Sequence, residues 1–209
     1  MEKRATENSL EVVFWGVRGT TPPDVPSIEF GNHTSAFEVR KPGKSSVWMD
    51  LGSGSLPAVK HALAREQSVF KVFMSHFHLD HLKGAVTFQP FYNKDCRVEI
   101  YGVRDDMEDM FRSIFSHRFH SVNFEDLGAQ ISFETLPYTG EKAFQETGVS
   151  VNWCTVPHPQ TTLAYRFDDG NNAVVVVPDV ELDKSDQTAE LEKLISNPYP
   201  AGLLALDSF

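Results

Sequence analysis

Val69-Phe70-Lys71-Val72-Phe73-Met74 runs straight into Ser75-His76-Phe77-His78-Leu79-Asp80-His81, an apolar stretch of strand length followed by three imidazoles and a carboxylate within six residues. An apolar run this short, rich in Val and Phe, predicts a buried strand. The polar cluster behind it is then a loop leaving the strand's end, where several side chains can be aimed at one point. Imidazole and carboxylate together suit zinc, manganese or iron, so His76, His78, Asp80 and His81 are candidate metal ligands.

Working outward, Leu10 to Val17 predicts another buried strand, ended by the glycine and proline cluster between Gly16 and Pro23. Strands are expected at Ser35 to Arg40 and Ser46 to Asp50, joined in a hairpin by the turn Lys41-Pro42-Gly43-Lys44. Leu51-Gly52-Ser53-Gly54-Ser55 then leads to a helix over Pro57 to Glu66, with Pro57 in its first turn. Past the histidine cluster a strand is expected at Arg97 to Val103. Met107, Met110, Phe111, Ile114 and Phe115 follow at helical spacing behind an acidic first turn, a stripe that reads as core. His117 and His120, just after it, are weak candidates for substrate contact.

The second half predicts strands at Gln130 to Leu136, Val149 to Val156, Thr162 to Phe167 and Ala173 to Val177, then a helix over Thr188 to Ser196. Asp168-Asp169-Gly170-Asn171 has the composition of a hairpin turn. His158, between two prolines, and Asp179, after Pro178, stand at strand ends, where a rigid sheet presents polar groups to a cleft. Beside the His76 to His81 cluster, both read as further metal ligands.

With 209 residues and 41% hydrophobic content the chain can bury a proper core, and one domain over residues 1–209 is expected. The polar N-terminus and the short apolar run Val12 to Trp15 fit neither a signal peptide nor a membrane span, so a cytoplasmic protein without membrane association is expected. Two cysteines, Cys96 and Cys154, each in a strand-like segment, predict buried thiols rather than a disulfide framework. A net charge of −10 without any basic run argues against sequence-blind nucleic-acid binding. Small anionic substrates remain compatible, because bound cations can invert the local field.

Asp50-Leu51-Gly52-Ser53-Gly54, Ser75 to His81, His158 and Asp179 together resemble the metallo-β-lactamase fold superfamily. Phe14-Trp15-Gly16-Val17-Arg18-Gly19-Thr20-Thr21-Pro22, Gly31-Asn32-His33-Thr34-Ser35, His158-Pro159 and Tyr165-Arg166 are similar to its tRNase Z-like and cyclic-nucleotide phosphodiesterase-like branch. The resemblance implies an α/β (α+β) fold, a four-layer αββα sandwich with a dinuclear site at one edge. By position, His76, His78 and His158 would hold one metal, Asp80 and His81 a second, and Asp179 would bridge them. The cofactors implied are two divalent ions, zinc or manganese, with Asp80 as the catalytic residue orienting a metal-bridging hydroxide.

Three departures accompany the resemblance. Gly31 to Ser35 is shifted by one residue from the commoner Gly-Gly-Asn-Thr-Ser, and Val180 stands where Thr is frequent. The branch usually carries a further His after a strand ending in Asp, here Leu203 to Leu206 with Asp207, and the sequence ends at Phe209. A C-terminally shortened form, a weakly held second ion or completion by a partner chain would each account for that, and an uncovered sheet edge leads to the expectation of a homodimer. The leading functional expectation is hydrolysis of a small phosphodiester, a 3′,5′-cyclic nucleotide above all. Another hydrolase of this fold, acting on a thioester, a lactone, a β-lactam or RNA 3′ ends, and a non-catalytic nucleotide-binding protein stay open beside it.

Overall fold

A computed structural model describes residues 10–20, 31–181 and 188–208. The segments Met1 to Arg4 and Thr21 to Pro23, used in the sequence reading, lie outside them. The described residues form two compact units, one of residues 13–20, 31–38 and 48–136, the other of 10–12, 39–47, 137–181 and 188–208. They contain two sheets and four α-helices.

The first sheet has six strands in the order β1 (Glu11–Gly16), β2 (Ala36–Arg40), β3 (Val47–Met49), β4 (Val69–Phe73), β5 (Arg97–Gly102) and β6 (Gln130–Thr135). Strands β4, β5 and β6 are parallel, so each return needs a crossover. Helix α2 (Leu79–Leu82) and short 3-10 turns lie in the first return, and α3 (Met107–Ile114) in the second. Helix α1 (Ser55–Ala64) precedes β4 and starts two residues before the expected Pro57, which sits in its first turn. The Met and Phe stripe of α3 is core. Met107, Phe111 and Phe115 are buried with Trp48, Phe70, Phe88 and Phe91 in one apolar cluster.

Lys71 interrupts that apolar pattern in mid-sheet, and its register partner on β5 accounts for it. Lys71 pairs with Glu99, directly opposite, and its Nζ donates to Oε2 at 2.5 Å. Tyr101 donates to the same oxygen at 2.7 Å and Arg97 lies 2.9 Å from Oε1. Burial opposes ionisation of Glu99, but these hydrogen bonds and the charges of Lys71 and Arg97 outweigh it and hold the carboxyl below its ordinary 4.5.

The second sheet runs β11 (Leu203–Ser208), β10 (Ala173–Val180), β9 (Thr162–Asp168), β8 (Val149–Val156), β7 (Thr139–Phe144). Strands β7 to β10 are antiparallel neighbours and β11 joins β10 in parallel. The expected turn between β9 and β10 is present: Gly170 has φ 89°, and the Asp169 Oδ1 accepts from the amides of Asn171 and Asn172 at 3.0 and 2.7 Å. Strand β7 escaped the sequence reading, because Thr139-Gly140-Glu141-Lys142 is polar and glycine-bearing, as suits an edge. Gly140 is required there, since a Cβ would meet the Trp153 ring at 2.5 Å.

Arg166 on β9 is wholly buried and fastens helix α4 (Thr188–Ser196) to the sheet. Its Nε and Nη2 donate to Asp168 Oδ2 at 3.0 and 2.9 Å, and the same guanidinium donates to the carbonyls of Leu194, Ile195 and Tyr199. The Tyr199 hydroxyl donates to the other Asp168 oxygen, and burial together with that carboxylate pushes its pKa up to about 12. Both cysteines are buried and unbridged. Cys154 lies in β8 as expected, while Cys96 sits just ahead of β5 rather than within a strand. Among the described residues no helix is long and apolar enough to cross a membrane.

Because the folded-state pKa of Glu99 is lowered, its contribution is complete above the ordinary carboxylate value and is lost as pH falls through the lowered one. Glu99→Gln, which leaves Lys71 buried without its counter-ion, is expected to cost about 3–5 kcal/mol at pH 7. Urea unfolding at stepped pH is expected to show that deficit shrinking in acid; a pH-independent deficit would refute the account.

Candidate metal centre

Strand β3 ends at Met49 and is followed by Asp50, a non-glycine residue at φ 62° whose side chain is completely buried. Its backbone amide still donates to Phe73 O at 3.0 Å, so the turn is held against the end of β4. A carboxylate in this position needs every acceptor site filled. Ser35 Oγ donates to Oδ2 at 3.0 Å, Ser75 N donates to Oδ1 at 2.8 Å, and Ser75 Oγ lies 2.9 Å from both oxygens. His81 Nδ1 donates to Oδ2 at 2.7 Å.

These contacts choose the tautomers of two imidazoles. With Nδ1–H given to Asp50, the neutral His81 ring carries its lone pair on Nε2, which faces the Asp80 carboxylate at 3.8 Å. Ser75 Oγ gives its own hydrogen to Asp50 and therefore accepts from His76 Nδ1 at 3.1 Å. The lone pair of His76 is thus also on Nε2. That nitrogen stands 2.9 Å from His78 Nδ1, somewhat inside the roughly 3.4 Å that would separate two nitrogens binding one tetrahedral ion at about 2.1 Å. Histidine ligands whose second nitrogen is tied to a carboxylate or hydroxyl are the usual arrangement in metal sites.

Apolar side chains of the loop anchor the cluster in the core. Phe77, between His76 and His78, is buried against Gly102 and Met107, where a Cβ on Gly102 would come 3.3 Å from the Phe77 ring. Leu82 is buried as well, while Leu79 is 63% exposed. His81 O accepts from Leu51 N at 2.8 Å, which binds the loop to the segment after Asp50. The glycines of that segment are there for close approach: a Cβ on Gly52 would meet Asp80 O and Ser35 O at 2.4 Å. Ser53 and Thr34 exchange reciprocal hydrogen bonds of 2.9 and 3.0 Å, and His33 Nδ1 lies 3.2 Å from Ser53 Oγ.

His158 and Asp179 belong to the other unit, where they form a pair of their own. His158 Nε2 is 3.8 Å from Asp179 Oδ2, with side chains 7% and 5% exposed. His158 follows β8, as expected, but Asp179 does not follow a strand. Strand β10 continues to Val180, and the register against β11 slips between Val177 and Val180, a bulge with Asp179 at φ 42°. Pro178 offers no amide to the ladder, which makes the slip inexpensive. Glu181 N donates to Pro157 O at 2.9 Å and keeps the bulge beside the His158 segment.

His76, His78, Asp80 and His81 therefore gather in one unit, and His158 and Asp179 in the other. His117 is exposed and bonded to Asn123, and His120 packs beside Tyr92 and Phe115. Asp50 and Ser75 were missed as site residues, although Asp50 opens the Asp-Leu-Gly-Ser-Gly run and Ser75 precedes the first histidine. For Asp50 the available signal was an acid two residues ahead of Gly52-Ser53-Gly54 at the end of a strand; nothing in the local sequence singles out Ser75 beyond its place before His76.

Residues 48–199 match the family model described as the β-lactamase superfamily domain. Among curated proteins, the ribonuclease Z of Lactiplantibacillus plantarum is 28% identical over 146 residues, covering 62% of this chain and 45% of that protein. The ribonuclease Z of Pyrococcus horikoshii is 24% identical over 195 residues, covering 88% and 57%. The chain spans about half the length of the curated relatives it matches. Among solved structures, the metallo-β-lactamase fold protein YhfI of Bacillus subtilis superposes with a TM-score of 0.57 at 20% identity, over 81% of this chain and 61% of that one. A diphosphatase of the PhnP family gives 0.55 at 15% identity and covers 95% of both chains.

If Asp50 sets the His81 tautomer, Asp50→Ala is expected to weaken metal binding roughly 10- to 100-fold while His117→Ala has no effect. Competition with a chromophoric chelator measures both; equal affinity in the Asp50 variant would refute the role.

Proposed function

The chain belongs to the metallo-β-lactamase superfamily, in its tRNase Z-like branch, and on that premise we propose that it hydrolyses phosphodiesters in a metal-dependent reaction. The observation that carries the reading is the pair of imidazoles, His76 and His81, whose tautomers are set by Ser75 and Asp50. In this reading His76, His78 and His158 would hold one divalent ion, zinc or manganese, Asp80 and His81 would hold a second, and Asp179 would be a ligand common to the two sets. Such ions, when bound, would lower the pKa of a bound water and stabilise charge building on the phosphoryl oxygens.

The chain's own groups supply the rest. Asp50 and Ser75 hold the imidazoles so that no ring must rotate as substrate arrives, which is electrostatic preorganisation. Asp80, nearly buried beside His81, accepts a hydrogen bond from the attacking water and orients it for in-line displacement. The bulge at Asp179 and the bond from Glu181 to Pro157 keep the second pair of ligands fixed.

The substrate we favour is a small diester, a 3′,5′-cyclic nucleotide, because the net charge of −10 gives little purchase on a long polyanion. RNA 3′-end processing is the second reading, favoured by the likeness to two ribonucleases Z. Assay of cyclic nucleotides beside a tRNA precursor with a 3′ trailer, with zinc or manganese added, separates the two. Turnover of acyl esters or thioesters alone would overturn both.

His78→Ala and Asp80→Ala are each expected to lower the rate by more than about tenfold, as the loss of several kcal/mol of transition-state stabilisation requires. Circular dichroism is expected to show an unchanged fold. A folded variant that keeps more than about a tenth of the parent rate would sink the assignment.

A further inference from the structure

Beside His158 lies a cavity of about 270 Å³ within the second unit, lined among others by Tyr138, Thr155, Pro157 and Thr161. Tyr138 is 67% exposed, an uncommon setting for an aromatic ring on a firmly held backbone. Trp153 Nε1 donates to Pro137 O at 2.8 Å, fixing the residue just before it. The register Thr139 to Cys154 sets Tyr138 next to Thr155 across the β7–β8 ladder. None of the residues lining this cavity is a lysine, an arginine or a carboxylate.

Away from His158, an anion would find no counter-charge on those walls. A neutral planar ring would find an aromatic face, a proline edge and two threonine hydroxyls able to donate or accept. We propose that Tyr138 is a specificity residue that stacks on the nucleobase of the substrate, seating it in the cavity beside His158. This rests on the phosphodiesterase reading, in which His158 holds a metal ion at the reacting phosphate. Stacking on an exposed ring is tolerant of base identity, so purine and pyrimidine substrates are both expected to use it.

The test separates base from phosphate and binding from turnover. Calorimetric titration of the manganese-loaded protein with adenosine 5′-monophosphate and with ribose 5-phosphate is expected to show about tenfold tighter binding of the nucleotide, as one stacked base provides. Tyr138→Ala is expected to abolish that preference and Tyr138→Phe to keep it. A parent without the preference, or an alanine variant that retains it, overturns the proposal. In turnover, Tyr138→Ala is expected to raise KM for thymidine 5′-(p-nitrophenyl phosphate) about tenfold with little change in kcat, and to leave methyl p-nitrophenyl phosphate unchanged. Equal effects on the two diesters overturn the base-specific role. If the parent cleaves no diester, the phosphodiesterase reading falls, and the calorimetry still decides the base subsite.

Discussion

The buried Asp50 carboxylate accepts hydrogen bonds from Ser35, from the amide and hydroxyl of Ser75 and from His81, and an anion so enclosed is tolerable only because its acceptor sites are filled. The cost of leaving any of these unmade ties the end of β3, the end of β4 and the loop to α2 into one rigid piece. That rigidity is what the chemistry needs. A histidine becomes a useful ligand when its proton is held on the far nitrogen, and here a single carboxylate and one serine do this for two rings. The glycines at 52 and 84 follow from the same constraint, since chains drawn this close leave no space for a Cβ.

The second unit meets its own demand for buried charge in a different way. Tyr165-Arg166 entered the sequence reading as part of a branch resemblance beside His158, yet Arg166 is spent on structure: it holds the C-terminal turn of α4 and the Asp168 carboxylate. The unit's contribution to ligand chemistry comes from backbone irregularity. A proline that cannot donate and a residue at positive φ interrupt the pairing of β10 with β11 at the buried Asp179. Asp179 then lies beside His158 rather than in the ladder.

Much of the fold was legible because burial writes itself into apolar runs. Strands β4, β5, β8, β9 and β10 are all rich in Val, Phe, Ile or Tyr, and the stripe of α3 has helical spacing, so each was found within a few residues. Strand β7 was not. It lies at a sheet edge with one partner, and its glycine answers to the Trp153 ring, a neighbour far along the chain. The end of β10 was misjudged for a related reason, because Pro178 is a stop signal locally, whereas pairing with β11 carries the strand past it.

For the site, residue types and spacing were sufficient to nominate His76, His78, Asp80 and His81, since so dense a set of nitrogen and oxygen donors has few other uses. His158 and Asp179 were reached only through the company of that cluster. Which nitrogen of each ring bears the proton, and that Asp50 and Ser75 are responsible, could not be seen in the linear chain. Spacing along a chain reports which donors are close in order, but a tautomer depends on the partner across the fold, and Asp50 meets His81 only because strands β3 and β4 end side by side.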